Sequence, residues 1–170
     1  AEPVQAFDFA TFNDMKGEHT ATANFNATKI TDVLYPNDNT MVGKILRLRQ
    51  QYFLVSASLQ DLIAKQKAAG HDLHELSRYY CFQLNDTHPV IAIPELLRLL
   101  KIEGFSFDEA FKVCAETFNF TNHTIMAEAL EKWDVLALSD LLPDVYQEIV
   151  NCQRRLEADG LDGSKFYCAS

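Results

Sequence analysis

A pattern that occurs twice along the chain restricts its possible folds more than any other feature. A short apolar and aromatic run, Tyr79–Leu84, ends in the polar segment Asn85–His88, and a helical pattern follows. A second run, Thr117–Thr121, alternates apolar and polar residues and ends in Asn122–Thr124. Such runs predict strands, the first of them buried, and strands separated by helical residues pair in parallel. We therefore predict an α/β fold that is mostly helical and contains a short parallel sheet.

Helical patterns account for much of the remaining chain. The clearest covers Lys44–Lys65, where apolar residues recur every three or four positions, and Gly70 follows as its stop signal. The further helices are predicted at Val90–Lys101, from a capping box at Ser106 and Glu109 onward, at Ile125–Trp133 and at Leu141–Leu156. Because a parallel sheet is normally covered on both faces and has more than two strands, we expect this sheet to belong to a larger one.

The charge and the cysteine spacing exclude several classes of function. The 170 residues carry 24 acidic and 15 basic side chains, and the net charge of −9 repels nucleic acids and anionic membranes. No apolar run approaches the length of about 18 residues that a membrane helix needs. The four cysteines lack the paired spacing of zinc and redox motifs, and the chain contains no known glycine-rich phosphate loop. We therefore expect a cytoplasmic protein with reduced thiols, without a metal, and with neither nucleic acid nor membrane as partner.

Both polar segments follow predicted strands, at the edge where open α/β sheets bind ligands. Asp86, His88 and His123 stand there, among short polar side chains that could bind sugar hydroxyl groups. A purely structural alternative is that Asp86 and Thr87 cap the following helix while His88 packs on it. A third polar segment, Tyr35–Asn39, has the composition of a turn. These residues alone leave both interpretations open.

A series of longer motifs resembles the glycogen and starch phosphorylases. The motifs occur in the order in which that family carries them and cover about residues 5 to 155. The matching segments are Leu34–Asn39, Gly43–Lys44, Leu46–Phe53, Ser58–Asp61, Gln83–Pro89, Ala92–Leu96, Thr121–Thr124 and Glu128–Trp133. Several long motifs in one order are far more specific than any single polar loop.

This resemblance implies a retaining α-1,4-glucan phosphorylase, which transfers glucose from a glucan to inorganic phosphate and releases glucose 1-phosphate. The family is allosteric and homodimeric, and it uses the phosphate of pyridoxal phosphate as a proton shuttle. The lysine that anchors this cofactor and the cations that bind phosphate belong to family segments that this chain does not match. The resemblance therefore implies a fragment that binds no cofactor, is inactive alone, and needs the remainder of the phosphorylase chain as its partner.

Within this interpretation, residues 1–156 are part of the N-terminal catalytic domain, and they contribute half of the glucosyl-binding cleft. That domain is Rossmann-like, of the glycosyltransferase-B type, and residues 157–170 are an unmatched, flexible tail. The alternative is a stand-alone sugar-binding or regulatory module that has the fold without catalysis.

The resemblance also implies roles for individual residues. His123 would hold the 6-hydroxyl group of the reacting glucose, with Asp86 and His88 beside it as further catalytic residues. The resemblance also implies five substrate-binding residues. Asn39 would bind the glucosyl hydroxyls, Asp38 would lie at the gate that admits phosphate, and Arg47 would support that gate. Asn122 is a further substrate-binding residue, and Glu128 would line the adjacent pocket. None of these roles requires a nucleophile from this chain.

Overall fold

Helices form most of the structure, a computed structural model that describes residues 27–32, 36–126 and 130–161. In chain order the elements are α1 (Met41–Ala68), a 3-10 helix (Leu73–Glu75), α2 (Leu76–Tyr79), β1 (Phe82–Asn85), α3 (Ala92–Ile102), α4 (Phe107–Thr117), β2 (Phe118–Thr121), α5 (Val135–Leu141) and α6 (Pro143–Ala158). Residues 27–32 are also helical. The chain divides into two compact units, Ala1–Phe53 and Leu54–Ser170, and the boundary lies within α1.

The long helix predicted from the apolar spacing is confirmed, and it extends beyond the prediction at both ends. Thr40 precedes α1, and its hydroxyl accepts a hydrogen bond from the N–H of Gly43 at 3.2 Å. Such a bond satisfies one of the free amides at a helix start. Beyond the other end, Gly70 has a φ of 73°, a left-handed conformation that glycine adopts without steric cost. No helix among the described residues is long and apolar enough to cross a membrane.

The two predicted strands pair in parallel, with Asn85 opposite Thr121. The first strand is shorter than predicted, because Tyr79 ends α2 and the strand begins only at Phe82. The predicted burial of this strand is wrong, since Leu84 is its one buried residue. Within the described ranges β2 is the single neighbour of β1, and a strand in so small a sheet keeps much of its surface exposed.

The core of the second unit lies between the helices. The buried apolar residues of α1, α3 and α4 form one cluster that includes Leu59, Leu62, Ile63, Leu96, Leu97, Leu100, Ala110 and Val113. Full burial of one leucine stabilises a fold by about 1.5–3 kcal/mol. The predicted capping box at the start of α4 is confirmed: the Ser106 hydroxyl accepts the N–H of Glu109, whose carboxylate accepts the N–H of Ser106 at 2.9 Å. Because α3 and α4 connect β1 to β2, this cluster also fixes the sheet.

The helix predicted over Ile125–Trp133 is wrong. Residues 122–126 and 130–134 are not helical, and residues 127–129 lie outside the described ranges. The side chain of Asn122 closes a local turn, accepting the N–H of Thr124 at 3.2 Å and donating to the carbonyl of Thr124 at 3.0 Å. Asparagine competes in this way with helical hydrogen bonding.

The C-terminal helical region is divided in two, where the sequence predicted one helix over Leu141–Leu156. The helix α5 ends at Leu141 and α6 begins at Pro143. Proline has no N–H to continue a preceding helix, but it fits the first turn of a new one. The predicted helix therefore corresponds to α6 apart from its ends, and α5 was not predicted.

Candidate functional site

Asp86 joins the ends of the two strands. Its N–H donates to the carbonyl of Thr121 at 2.8 Å, and its carboxylate accepts the N–H of His123 at 2.6 Å. Asp86 is also the one non-glycine residue with a positive φ, 62°, among those that the structure describes. Aspartate tolerates this conformation better than most residues because its short side chain bonds to nearby backbone. The left-handed turn thus directs the carboxylate of one strand end onto the backbone of the other.

His88 and Glu131 are in contact beside this bond. The distance from Nδ1 of His88 to Oε1 of Glu131 is 3.0 Å, and the Glu131 side chain is only 12% exposed. The N–H of Glu131 also donates a long hydrogen bond of 3.5 Å to the hydroxyl of Thr87. Asp86, His88, His123 and Glu131 are called the strand-end cluster below.

The structural alternative for these residues, that they cap the following helix, is wrong. The N-cap residue of α3 is Ile91, which makes no side-chain cap hydrogen bond. The carboxylate of Asp86 bonds across to the second strand end, and the hydroxyl of Thr87 accepts from Glu131. The polar groups that follow β1 therefore serve the sheet edge and not the helix.

A polar turn before α1 holds two further candidate residues in the first unit. The side chain of Asn37 accepts the N–H of Asn39 at 2.9 Å, which closes the turn. Nη1 of Arg47 lies 2.7 Å from Oδ2 of Asp38. A Cβ atom at Gly43 would overlap the backbone carbonyl of Asn37, so the turn lies directly against the first turn of α1. Glycine at this position makes that close approach possible.

The structure thus brings the candidate residues together in two groups, each within its own unit. Asp86, His88 and His123 belong to the strand-end cluster, and Asn122 precedes His123 in the same turn. Asp38 and Asn39 belong to the turn before α1, and Arg47, a residue of α1, pairs with Asp38. Glu128 lies outside the described residues.

Glu131 is the site residue to which the sequence analysis gave no role. It lies in one of the phosphorylase-like segments, Glu128–Trp133, within the range that was predicted as a helix. The pair that it forms with His88 joins residues far apart in the chain. The sequence signal that could have identified Glu131 is its position as an acidic residue soon after the turn that contains His123.

The remaining histidines and cysteines of the described ranges supply no second site. His74 stacks on Phe105 and bonds to Asp72, and no cluster among the described residues could hold a metal ion. Burial raises the pKa of the Cys152 thiol to about 11 and that of Cys114 well above its usual range. Within the described part of the chain these two thiols form no disulfide.

The strand-end cluster can bind hydroxyl groups and hold protons. It presents two carboxylates as acceptors and two imidazoles that donate or accept, and the side chain of His123 is 58% exposed. Its geometry favours the recognition of a neutral polyol over that of an anion, because both carboxylates repel negative charge. The distance of 3.5 Å between Nδ1 of His123 and Asp86 is too long for a strong bond. Asp86 therefore positions the backbone of His123 and leaves the ring available.

Comparison with protein families matches residues 1–161 to the family described as carbohydrate phosphorylase. The chain is similar to glycogen phosphorylase 2 of Dictyostelium discoideum, with 45% identity over 84% of this chain and 14% of that protein. It is 45% identical to alpha-glucan phosphorylase 1 of Arabidopsis thaliana, over 83% of this chain and 15% of the relative. The glycogen phosphorylase of Saccharomyces cerevisiae is 46% identical over 84% of this chain and 16% of its own length. The chain thus spans less than a fifth of the length of these relatives.

Proposed function

This chain belongs to the carbohydrate phosphorylase family, and we propose that it is part of a retaining α-1,4-glucan phosphorylase. The whole protein would transfer the terminal glucose of a glucan to inorganic phosphate and release glucose 1-phosphate. Since the chain spans only 14–16% of the three relatives described, it would supply part of an N-terminal catalytic domain with a larger Rossmann-like sheet. Its contribution would be half of the cleft that binds the glucosyl unit.

The contact between Asp86 and His123 is the observation that supports this proposal. It joins the carboxyl ends of two parallel strands, where α/β sheets bind their ligands, and leaves the His123 ring exposed. We propose that His123 holds the 6-hydroxyl of the reacting glucose, with Asp86, His88 and Asn122 around it. These residues bind and orient the sugar, and none of them acts as a nucleophile.

The turn before α1, in the first unit, would supply further substrate contacts of its own. We propose that Asn39 binds glucosyl hydroxyls and that Asp38 forms the gate through which phosphate enters. The ion pair of 2.7 Å between Arg47 and Asp38 supports this role, because it holds the gate carboxylate through a charge-assisted bond. Glu128 would line the pocket beside the glucose.

Pyridoxal phosphate, which the family uses, does not fit the strand-end cluster. Two carboxylates would repel its phosphate group, and the cluster offers no amino group to anchor it. The unit that contains the cluster also contains Lys101, but the amino group of Lys101 forms an ion pair of 2.5 Å with Glu148. We propose that the cofactor and the phosphate-binding cations belong to the rest of a homodimeric phosphorylase, so this chain alone neither retains the cofactor nor releases glucose 1-phosphate.

A titration with glucose followed by NMR tests this assignment on the chain itself. We expect glucose to shift the backbone amide signals of Asp86 and His123, and we expect His123→Ala to abolish the response. His74→Ala is the matched control, since His74 is also an exposed histidine, but it contacts Asp72 and Phe105 and not the strand-end cluster. A response that survives in His123→Ala, or that is equally lost in His74→Ala, would contradict the assignment. Production of glucose 1-phosphate by the isolated chain with cofactor, maltodextrin and phosphate would contradict its inactivity.

A further inference from the structure

The ring of His88 is held by a largely buried carboxylate. Oε1 of Glu131 lies 3.0 Å from Nδ1 of His88, and the side chains are 12% and 36% exposed, respectively. An ionised carboxylate can only accept a hydrogen bond, so the proton of this contact belongs to Nδ1 of the imidazole. A neutral ring that hydrogen-bonds to this carboxylate would therefore carry its proton on Nδ1.

The surroundings of Glu131 keep its carboxylate in place. The N–H of the same residue bonds to the hydroxyl of Thr87, the neighbour of His88 in the chain. The second carboxylate oxygen, Oε2, is buried as well. Because backbone and side chain both contact the segment after β1, a change in the orientation of the ring would disturb both contacts.

We propose that Glu131 is a positioning residue that fixes His88 in the Nδ1–H tautomer. In this tautomer Nε2 carries no proton and can act only as a hydrogen-bond acceptor. It would therefore bind a sugar hydroxyl that donates its proton, and it would discriminate against a group that only accepts. This role of Glu131 rests on the proposed function, since it determines which hydrogen bond His88 can offer to glucose.

The ring nitrogens of His88 report the tautomer directly. In 15N NMR spectra of the sugar-free chain, at a pH where the ring is neutral, we expect the proton on Nδ1. Glu131→Leu removes the acceptor and should return His88 to the Nε2–H tautomer, whereas Glu131→Gln keeps an acceptor oxygen and should retain Nδ1–H. A wild-type ring with its proton on Nε2 would overturn the inference without any variant. An unchanged tautomer in a folded Glu131→Leu chain would do the same.

Glucose titration of the same variants separates this inference from the proposed function. A neutral hydrogen bond is worth about 1 kcal/mol, so Glu131→Leu should weaken glucose binding about three- to tenfold, and Glu131→Gln should weaken it less. A wild-type chain with the Nδ1–H tautomer but no glucose response would overturn the proposed function and uphold the tautomer assignment. A wild-type chain with the Nε2–H tautomer and a glucose response would overturn the tautomer assignment and uphold the proposed function.

Discussion

The left-handed turn at Asp86 allows two energetic contributions to be separated by substitution. Asp86→Ala removes the charge-assisted bond to the N–H of His123 and keeps a Cβ atom at a φ of 62°. Asp86→Gly removes the same bond but also removes the steric strain of a Cβ atom at this φ. Asp86→Asn keeps both the tolerance of this conformation and an acceptor oxygen. The three variants therefore differ in which contribution they lose.

The magnitudes follow from the geometry of the contact. A hydrogen bond to a charged group is worth about 1.5–3 kcal/mol, and the lower half applies here because the Asp86 side chain is 30% exposed. The left-handed conformation costs a residue with a Cβ about 1 kcal/mol or more. Since Asp86 already has a Cβ atom at this φ, Asp86→Ala should lose little more than the bond, about 1.5–2.5 kcal/mol in the free energy of unfolding. Glycine regains about 1 kcal/mol of this, so the expected losses are about 0.5–1.5 kcal/mol for Asp86→Gly and about 1 kcal/mol for Asp86→Asn.

Urea denaturation followed by far-UV circular dichroism measures these differences, and hydrogen exchange at the N–H of His123 measures the local contact. Asn85 provides the matched control, because it precedes Asp86 but lies in β1, where its φ is negative. The Asn85→Gly chain should be less stable than the Asn85→Ala chain by about 0.5–1 kcal/mol, which is the reverse of the order expected at Asp86. Equal stability of Asp86→Ala and Asp86→Gly would refute the role of the left-handed turn, and unchanged exchange at His123 would refute the bond.

Three further predictions concern buried and titrating groups. Arg98→Met should lower the free energy of unfolding, measured by urea denaturation, by about 3 kcal/mol, because the fully buried Glu95 loses this guanidinium partner. A double Glu95→Met/Arg98→Met variant that is even less stable than Arg98→Met would contradict this prediction. Hydrogen bonds from the hydroxyl and the N–H of Ser106 lower the pKa of Glu109 below 4.5, so its stabilisation is complete above pH 4.5 and is lost as the pH falls through that lower value. Thermal melts should show a smaller loss of stability at acid pH in Glu109→Gln than in the wild type. Burial raises the pKa of Cys152 from 9.0 to about 11, so stability should decline as the pH rises through this interval, and less steeply in Cys152→Ala.

Local sequence signals predicted the elements that depend on local interactions. The capping box at Ser106 and the apolar spacing along α1 need only residues within a few positions of each other, and both are confirmed. The helix over Ile125–Trp133 satisfied the same rules and is wrong. There Asn122 closes a turn, and Glu131 bonds to residues after β1. The local turn competes with helix formation, and the tertiary bond of Glu131 overrides a weak helical preference.

The candidate site shows the same limit. Strand-end position and family resemblance selected Asp86, His88 and His123, and the structure places all three at one edge of the sheet. Neither signal predicted the positive φ of Asp86 or the pair of His88 with Glu131. Both features depend on which backbone groups the second strand presents, and that depends on the register of the sheet.

The register is set mainly by the helices, because each strand has only four residues. At the strand ends, Gln83 donates to the hydroxyl of Thr121 at 2.7 Å, and the N–H of Asp86 bonds to the carbonyl of Thr121. A slip of one residue would move the Asp86 carboxylate by about 3.3 Å along β2 and away from the N–H of His123. The leucine-rich cluster opposes this slip, since it holds both helices, α3 and α4, of the connection between the strands. The geometry of the strand-end cluster therefore depends on the packing of a core that no sugar would contact.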